Sequence, residues 1–526
     1  MGKKQIIENS TDYHEFTKHT YENVRNSDFT LDWDIYPLKY KIYTDCEKIK
    51  LPAIEINEFK INTLDALSGL VSGEMVMDSL EKLSALLFYI YGKTGLKQYP
   101  NMLFEMRAAP SAGALYPAEI YFATRALNFL DDGLYHYNPG ESELSCLRKG
   151  DCFNFLKNNC FEKLDDRVNI CLILTTIFWR TMWKYRSRSY RYCCEDSGHI
   201  LGNILPVAEA LGFEPSISYF FNDEKVNEFL GVDGINESSM IVVNLKDNIN
   251  EKKLNEEKYS EEKLPHINFN YKPLSNKELS YPAVQKIKDL TSFDCLPDVM
   301  DICSKFNKLS ESKKSPVIDN SRSVKLPEPS GYQSSDIAKS IKSRRSSRDY
   351  YDRNLSLENI SNILYYSTFS PRSEFGMEKV CFNPTFMNIY LIANRIEVIP
   401  NGIYRYNKSD NSIIPLKTGD FIEKSTYVSL EQEIVGKSGA SFILTANFDH
   451  LKILGERGYR MIHLEAGIIG QNIYLAATSL GLGCTGIGAF YDDDFNELLE
   501  HKGTDEKVIY ELIVGQHVPD ERLVDN

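Results

Sequence analysis

Asp196–Gly212 reads DSGHILGNILPVAEALG, and Glu465–Gly481 reads EAGIIGQNIYLAATSLG. Both stretches carry apolar residues at helical spacing. Both stop at glycine, which takes the left-handed conformation past a helix C-terminus most readily. Gly198 and Gly467, Asn203 and Asn472, and Leu211-Gly212 and Leu480-Gly481 are each 269 residues apart. The same step links Ile120-Tyr121 to Ile389-Tyr390 and Tyr190-Arg191 to Tyr459-Arg460. Lys50-Leu51-Pro52 returns as Lys325-Leu326-Pro327 after 275 residues. Such a period lies far outside the roughly 20–50 residues of a solenoid unit and describes two copies of one domain.

Around each long helix the pattern is the same. A helix led by Ser79 or Ser356 opens the copy, and β-rich stretches follow (IYFATRA and GLYHYN; MNIYLIANR and GIYRYN). A further strand precedes the long helix (VNICLILTTIFW; ASFILTANF), and a last strand closes the copy (SSMIVVNL; VIYELIVGQ). The expected fold is α+β. Its expected parts are an N-terminal arm (1–50), domain 1 (51–247), a linker with short helices (248–322) and domain 2 (323–526). The linker holds a solvated charge run and a short helix within NKELSYPAVQKIKDL.

The duplication explains the length of 526 residues, which would otherwise suggest three or four domains. Composition is that of a globular chain: 42% hydrophobic, 25% charged and 12% aromatic, with mean hydropathy −0.34. Sixty basic residues against 74 acidic ones leave a net charge of −14, which disfavours nucleic acid and anionic membranes as partners. No apolar run reaches the roughly 18 residues of a membrane span, and the N-terminus lacks a signal-peptide core. Eleven cysteines without a C-x-x-C pair point to a reducing, cytoplasmic setting. Cys193-Cys194 reads as two thiols, because neighbouring residues rarely meet disulfide geometry. Nine histidines show no H-E-x-x-H or other metal spacing. A phosphate-binding Walker loop, a G-x-S-x-G elbow and a G-x-G-x-x-G after a strand are also missing.

Four elements carry chemistry. Copy 2 opens with Arg344-Arg345-Ser346-Ser347-Arg348, in which alternate residues of an extended segment point one way. Arg344, Ser346 and Arg348 thereby offer donors suited to a phosphate or an anionic ring edge. Gly486-Ile487-Gly488-Ala489-Phe490 lets a ligand approach the backbone closely. Copy 1 instead carries Pro110-Ser111-Ala112-Gly113-Ala114-Leu115-Tyr116-Pro117, a tight loop able to lie against a planar ligand. It also carries Lys184-Tyr185 among Arg186 and Arg188, where an amine beside a phenol and cations has a lowered pKa and acts as a base.

Together these elements resemble the nitroreductase-like flavoproteins, specifically the SagB/ThcOx-type (thiazole/oxazole-forming) peptide dehydrogenases. YHEFTKH near the start and PLSNKELSYPAVQKI in the linker extend the likeness over nearly the whole chain. The resemblance implies two tandem domains forming an intramolecular pseudo-dimer, with FMN bound at the interface. It assigns the flavin to Arg344, Ser346, Arg348, Gly486, Ile487, Gly488 and Ala489 of copy 2. From copy 1 it adds Pro110, Ser111, Ala112, Gly113 and Leu115. Lys184 and Tyr185 are the implied catalytic pair; no metal is implied.

The copies differ in complementary ways. Positions 61–81 of copy 1 contain no Lys or Arg, and the counterpart of GIGAF is Ile217-Ser218-Tyr219-Phe220-Phe221. In copy 2 the Pro-Ser loop becomes Lys379-Val380-Cys381-Phe382-Asn383-Pro384-Thr385-Phe386. One intact composite site is therefore expected. The implied activity is oxidation of azoline rings to thiazoles or oxazoles in a ribosomal peptide. The implied partners are that precursor peptide and a cyclodehydratase complex. Two other activities fit the residues: flavin-dependent reduction of nitro, quinone or enone compounds (or another peptide desaturation), and a non-catalytic subunit of a peptide-modifying complex.

Overall fold

A computed structural model describes residues 6–54, 60–69, 77–100, 102–160, 167–247, 264–297, 301–302, 304–305, 322–330, 334–368 and 386–524. Two antiparallel sheets of seven strands repeat one another strand for strand. The first runs Glu47–Lys50, Glu143–Lys149, Gly133–Asn138, Ala118–Thr124, Val168–Ile177, Glu237–Asp247, Phe213–Ser218 from edge to edge. In the same order the second runs Val324–Lys325, Ser412–Thr418, Gly402–Asn407, Met387–Ala393, Ala440–Asn447, Glu506–Gly515, Gly483–Ile487. The expected two-copy α+β fold is the observed one.

Helix starts follow the sequence. Ser79 caps Leu80–Tyr91 by accepting from the Lys82 amide, and Ser356 caps Leu357–Thr368 by accepting from Asn359. The long helices, Ser189–Ala210 and Arg457–Ser479, are followed by Gly212 (φ 82°) and Gly481 (φ 74°), both left-handed. Each helix lies on its own sheet, and the two cross. The crossing is made of glycine on both sides. A Cβ on Gly198 would stand 2.2 Å from Leu464 O, and one on Gly467 would stand 2.2 Å from Glu195 O. A pseudo-twofold axis therefore passes between two equivalent residues.

Ion pairs across the axis obey the same symmetry. Asp492 of copy 2 binds Arg188 (2.8 Å) and Arg191 (2.9 Å) of copy 1. Asp223 of copy 1 binds Arg457 and Arg460 of copy 2, the latter at 2.7 Å. All six side chains are buried. The arm and the linker complete these clusters in parallel fashion. His19 exchanges backbone and carboxylate bonds with Asp492 as Phe293 does with Asp223. Thr17 and Thr291 meet Arg191 and Arg460. The arm helix, Ser10–Phe16, is thus tied into both copies, and the linker helix is Pro282–Leu290.

One addition was not legible in the sequence. Lys93–Tyr99 and Met102–Arg107 form a hairpin on copy 1, and Leu523–Val524 from the end of copy 2 pairs with it as a third strand. Among the described residues no helix is long and apolar enough to cross a membrane. The charged linker run and most of the 379–386 segment lie outside the described residues, as do 70–76 within the 61–81 stretch.

Candidate functional site

Helix Ile337–Ser343 gives way at Arg344 to a segment bridged to the glycine strand through Ser346 and Cys484. Arg344 and Ser346 both reach Tyr474, while Arg345 points elsewhere. Arg344 turns inward, donating from Nε to Ala108 O (2.9 Å) and from Nη2 to Arg107 O (3.0 Å) of copy 1. Its Nη1 is buried without a hydrogen-bond partner, and burial pulls the guanidinium below its usual range. Arg345 turns the other way and clamps the hairpin, donating to Thr94 O at 2.7 Å. Ser346 Oγ lies 2.9 Å from Tyr474 Oη, which accepts from the Gly486 amide at 2.7 Å. The Gly486 amide is therefore engaged within the protein. Arg348 is exposed.

Glycines are required in the turn because side chains of both copies press against it. A Cβ on Gly488 would stand 2.5 Å from Tyr192 Cε1, and one on Gly486 would stand 2.0 Å from Tyr510 Oη. Tyr192 Oη donates to Gly488 O at 3.0 Å, and Tyr510 Oη lies 3.0 Å from His199 Nε2. Burial, with Arg344 nearby, pushes His199 down to about 3, so its imidazole is neutral.

Asp196 builds the Pro-Ser loop. Its carboxylate accepts from Ser111 Oγ (2.6 Å) and from the Ala112 amide (3.0 Å), while Ser111 Oγ accepts from the Tyr116 amide (2.9 Å). Gly113, Ala114 and Tyr116 all have positive φ (63°, 52° and 50°). For the two non-glycines this costs on the order of 1 kcal/mol each, so the surroundings must hold the loop. Burial pushes Asp196 up to about 7 against the lowering effect of its two donors. Ser111 Oγ and the Ala112 amide, which the resemblance assigns to the flavin, are engaged by Asp196.

Lys184 and Tyr185 end helix Phe178–Tyr185, at a break where Arg186 takes φ 48° and ψ −128°. A Cβ on Gly113 would stand 3.0 Å from Tyr185 Oη and 3.3 Å from Lys184 Cδ, so the pair abuts the Pro-Ser loop. Burial lowers the Lys184 pKa, and the positive field of Arg348 lowers it further. Burial raises that of Tyr185, which stays a phenol. The Tyr185 ring lies 4.5 Å from that of Tyr192, and Tyr192 touches Gly488. Arg344 on Ala108, Arg348 near Lys184 and Gly488 on Tyr192 thus join both copies around one place. A buried guanidinium with a free Nη, a strained small-residue loop and a tight glycine turn fit a planar, anionic cofactor.

A family model described as the nitroreductase family matches residues 74–244 and again residues 341–516. The chain belongs to the nitroreductase family. A solved nitroreductase-like protein from Anabaena variabilis superposes on this nitroreductase-family chain with a TM-score of 0.75 at 25% identity, covering 97% of this chain and 99% of that one. The nitroreductase-like protein MJ1384 of Methanocaldococcus jannaschii is 32% identical over 162 residues, 30% of this chain and 81% of its own. Trifolitoxin-processing protein TfxB of Rhizobium leguminosarum bv. trifolii is 28% identical over 186 residues, 32% of this chain and 48% of its own. Microcin B17-processing protein McbC of Escherichia coli is 26% identical over 154 residues, 28% of this chain and 56% of its own. The chain thus spans about half the length of these two peptide-processing relatives.

Around the other side of the axis, this nitroreductase-family chain carries different residues. Glu465 occupies the place of Asp196 and accepts from the Phe386 amide at 2.8 Å. Lys452-Ile453-Leu454 replaces Trp183-Lys184-Tyr185, and Lys452 is exposed and paired with Asp449 at 2.7 Å. Sequence reading missed Asp196, Tyr192, His199 and Tyr510. For Asp196 a signal existed: a carboxylate within an otherwise apolar helix demands a buried partner. Tyr510 gave none, because its strand alternation looks like core.

Proposed function

We propose that the chain is an FMN-dependent dehydrogenase that oxidises azoline rings to thiazoles or oxazoles in a ribosomally made peptide, using one composite site. The observation that carries this reading is the convergence of copy 2 on copy 1 beside the Pro-Ser loop, with Arg344 on Ala108, Arg348 near Lys184 and Gly488 on Tyr192, whose ring meets that of Tyr185. The processing of trifolitoxin and microcin B17 by the named relatives supports the substrate class.

Arg344, Ser346 and Arg348 would hold the phosphate and the anionic ring edge. The Gly488-Ala489 turn and the 110–115 loop would bracket the ring. FMN, when bound, supplies the hydride acceptor; the protein supplies position and a base. Lys184 is suited to take the Cα proton, because burial and Arg348 both favour its neutral amine. Tyr185, kept protonated, is suited to donate a hydrogen bond to the ring being oxidised. Placement in the cytoplasm beside a cyclodehydratase belongs to the same proposal, supported by the described cysteines, which are thiols.

Flavin content and turnover test the reading. Purified protein is expected to release one FMN per chain on denaturation and to aromatise an azoline-bearing peptide under air. Two FMN per chain would refute the single site. Rapid NAD(P)H oxidation without azoline turnover would favour a reductase, and a colourless protein a non-catalytic subunit.

A further inference from the structure

Buried polar contacts along the crossing helices come in matched pairs. Arg188, Arg191 and Asp492 answer to Arg457, Arg460 and Asp223, and Asp196 answers to Glu465. Several polar contacts break this rule, those of Gln471 with His199 and Asn203 among them, and two lie behind the glycine turn of the composite site. One is His199 with Tyr510, behind Gly486. In the other, Glu195 Oε1 lies 3.0 Å from His463 Nδ1, both side chains being buried. A step of 269 residues takes Glu195 to Leu464 and Cys194 to His463. The equivalent place thus holds a leucine and a thiol, which form no such pair.

Glu195 stands between Tyr192, which donates to Gly488 O, and Asp196, which holds the Pro-Ser loop. Its Oε2 lies 3.4 Å from where a Cβ on Gly488 would be. His463 Nε2 is buried without a hydrogen-bond partner. The fold does not require this pair, since the same helix crossing accepts Leu464 and Cys194 on the other side. Buried polar pairs in general stabilise no better than apolar residues of similar volume. A polar pair kept on one side only, behind one glycine turn, points to a role at that turn.

On the reading that a flavin occupies the composite site, we propose that the Glu195–His463 pair takes up one proton from solvent when negative charge arrives in front of Gly488. Transfer of a hydride brings two electrons and one proton to the bound flavin and adds one unit of negative charge. A second proton, from solvent, then settles on the Glu195–His463 pair and restores the charge balance. When an acceptor such as oxygen removes the electrons, that proton returns to solvent. Arg188, Arg191 and Asp196 act on Glu195 from its own helix and the turn before it, and Tyr510 faces it from the second sheet. His463 is faced by Arg188, Arg191 and Asp492, by the Tyr459 ring, and by His14 of the arm. Burial pushes Glu195 up and His463 down, so the pair rests without net charge.

The test is the pH dependence of the bound flavin's midpoint potential, read by absorbance during dithionite titration. The double variant Glu195→Leu/His463→Cys installs the residues that the fold already accepts across the axis. Over part of the pH range the wild-type potential is expected to fall more steeply than the variant's, by one proton per two electrons. Equal slopes throughout would overturn the inference while leaving the flavin reading intact. A wild-type protein that binds no flavin would overturn both. If the double variant loses flavin, Glu195→Gln with His463 retained gives the same comparison of slopes, and equal slopes there again overturn the inference.

Discussion

Replacing Gly198 by alanine tests the pseudo-twofold crossing directly. The new Cβ would lie 2.2 Å from Leu464 O, 3.0 Å from Leu464 C and 2.8 Å from Gly467 Cα, all backbone atoms. Ordinary contact begins near 3.4 Å, so the helices must part by about 1 Å, and no side-chain rotation can relieve them. Inserting a methyl into a packed core costs about 1–3 kcal/mol, and a crossing of two backbones lies at the upper end. Better helix propensity returns up to about 1 kcal/mol, so a net loss near 2 kcal/mol is expected. The composite site bridges this crossing, so a shift of this size should also weaken flavin retention. Urea denaturation gives the first quantity, and absorbance after gel filtration gives the second. Gly467→Ala should match it within about 0.5 kcal/mol, because its clash with Glu195 O is equally short. Wild-type stability in Gly198→Ala, or a large inequality between the variants, would refute the reasoning.

Three other perturbations have defined outcomes. Asp196 titrates at about 7 when folded and near 3.9 when unfolded, so the native state holds a proton that the unfolded chain has lost. Stability should therefore fall between about pH 4 and 7, by on the order of 4 kcal/mol from this group. Asp196→Asn should remove that part of the pH dependence in denaturation curves; an unchanged curve would sink the assignment. Asp492→Asn strands the buried charges of Arg188 and Arg191 and should destabilise by about 3–5 kcal/mol, as should Asp223→Asn for Arg457 and Arg460. Lys184→Met should lower turnover by about 100-fold or more with FMN still bound. Arg348→Gln should move the acid limb of the pH–rate profile upward, since removing a neighbouring positive charge raises the Lys184 pKa.

The repeat was legible because both copies keep the helix glycines, the serine caps and the order of strands. Contacts that depend on distant pairing were not. The hairpin with Leu523–Val524 joins residues more than 400 positions apart, and nothing local marks it. The sequence signals polar groups such as Asp196 and Glu195 only as anomalies on an apolar face. Their partners, Ser111 and His463, come from another loop and another copy. The parallel roles of His19 and Phe293 escaped for a different reason: the bonds they make are largely backbone, so their side chains need not resemble each other.

The exchanged aspartates, Asp223 and Asp492, make each half incomplete without the other. In a dimer of separate chains, every mutation of the gene is written into both active sites at once. A fused pair removes that constraint: either half can drift at one site while the other holds the shared fold. Covalent linkage also makes association independent of protein concentration. Divergence between the halves is then a record of which side each residue serves, and reading one half against the other substitutes for a family of sequences.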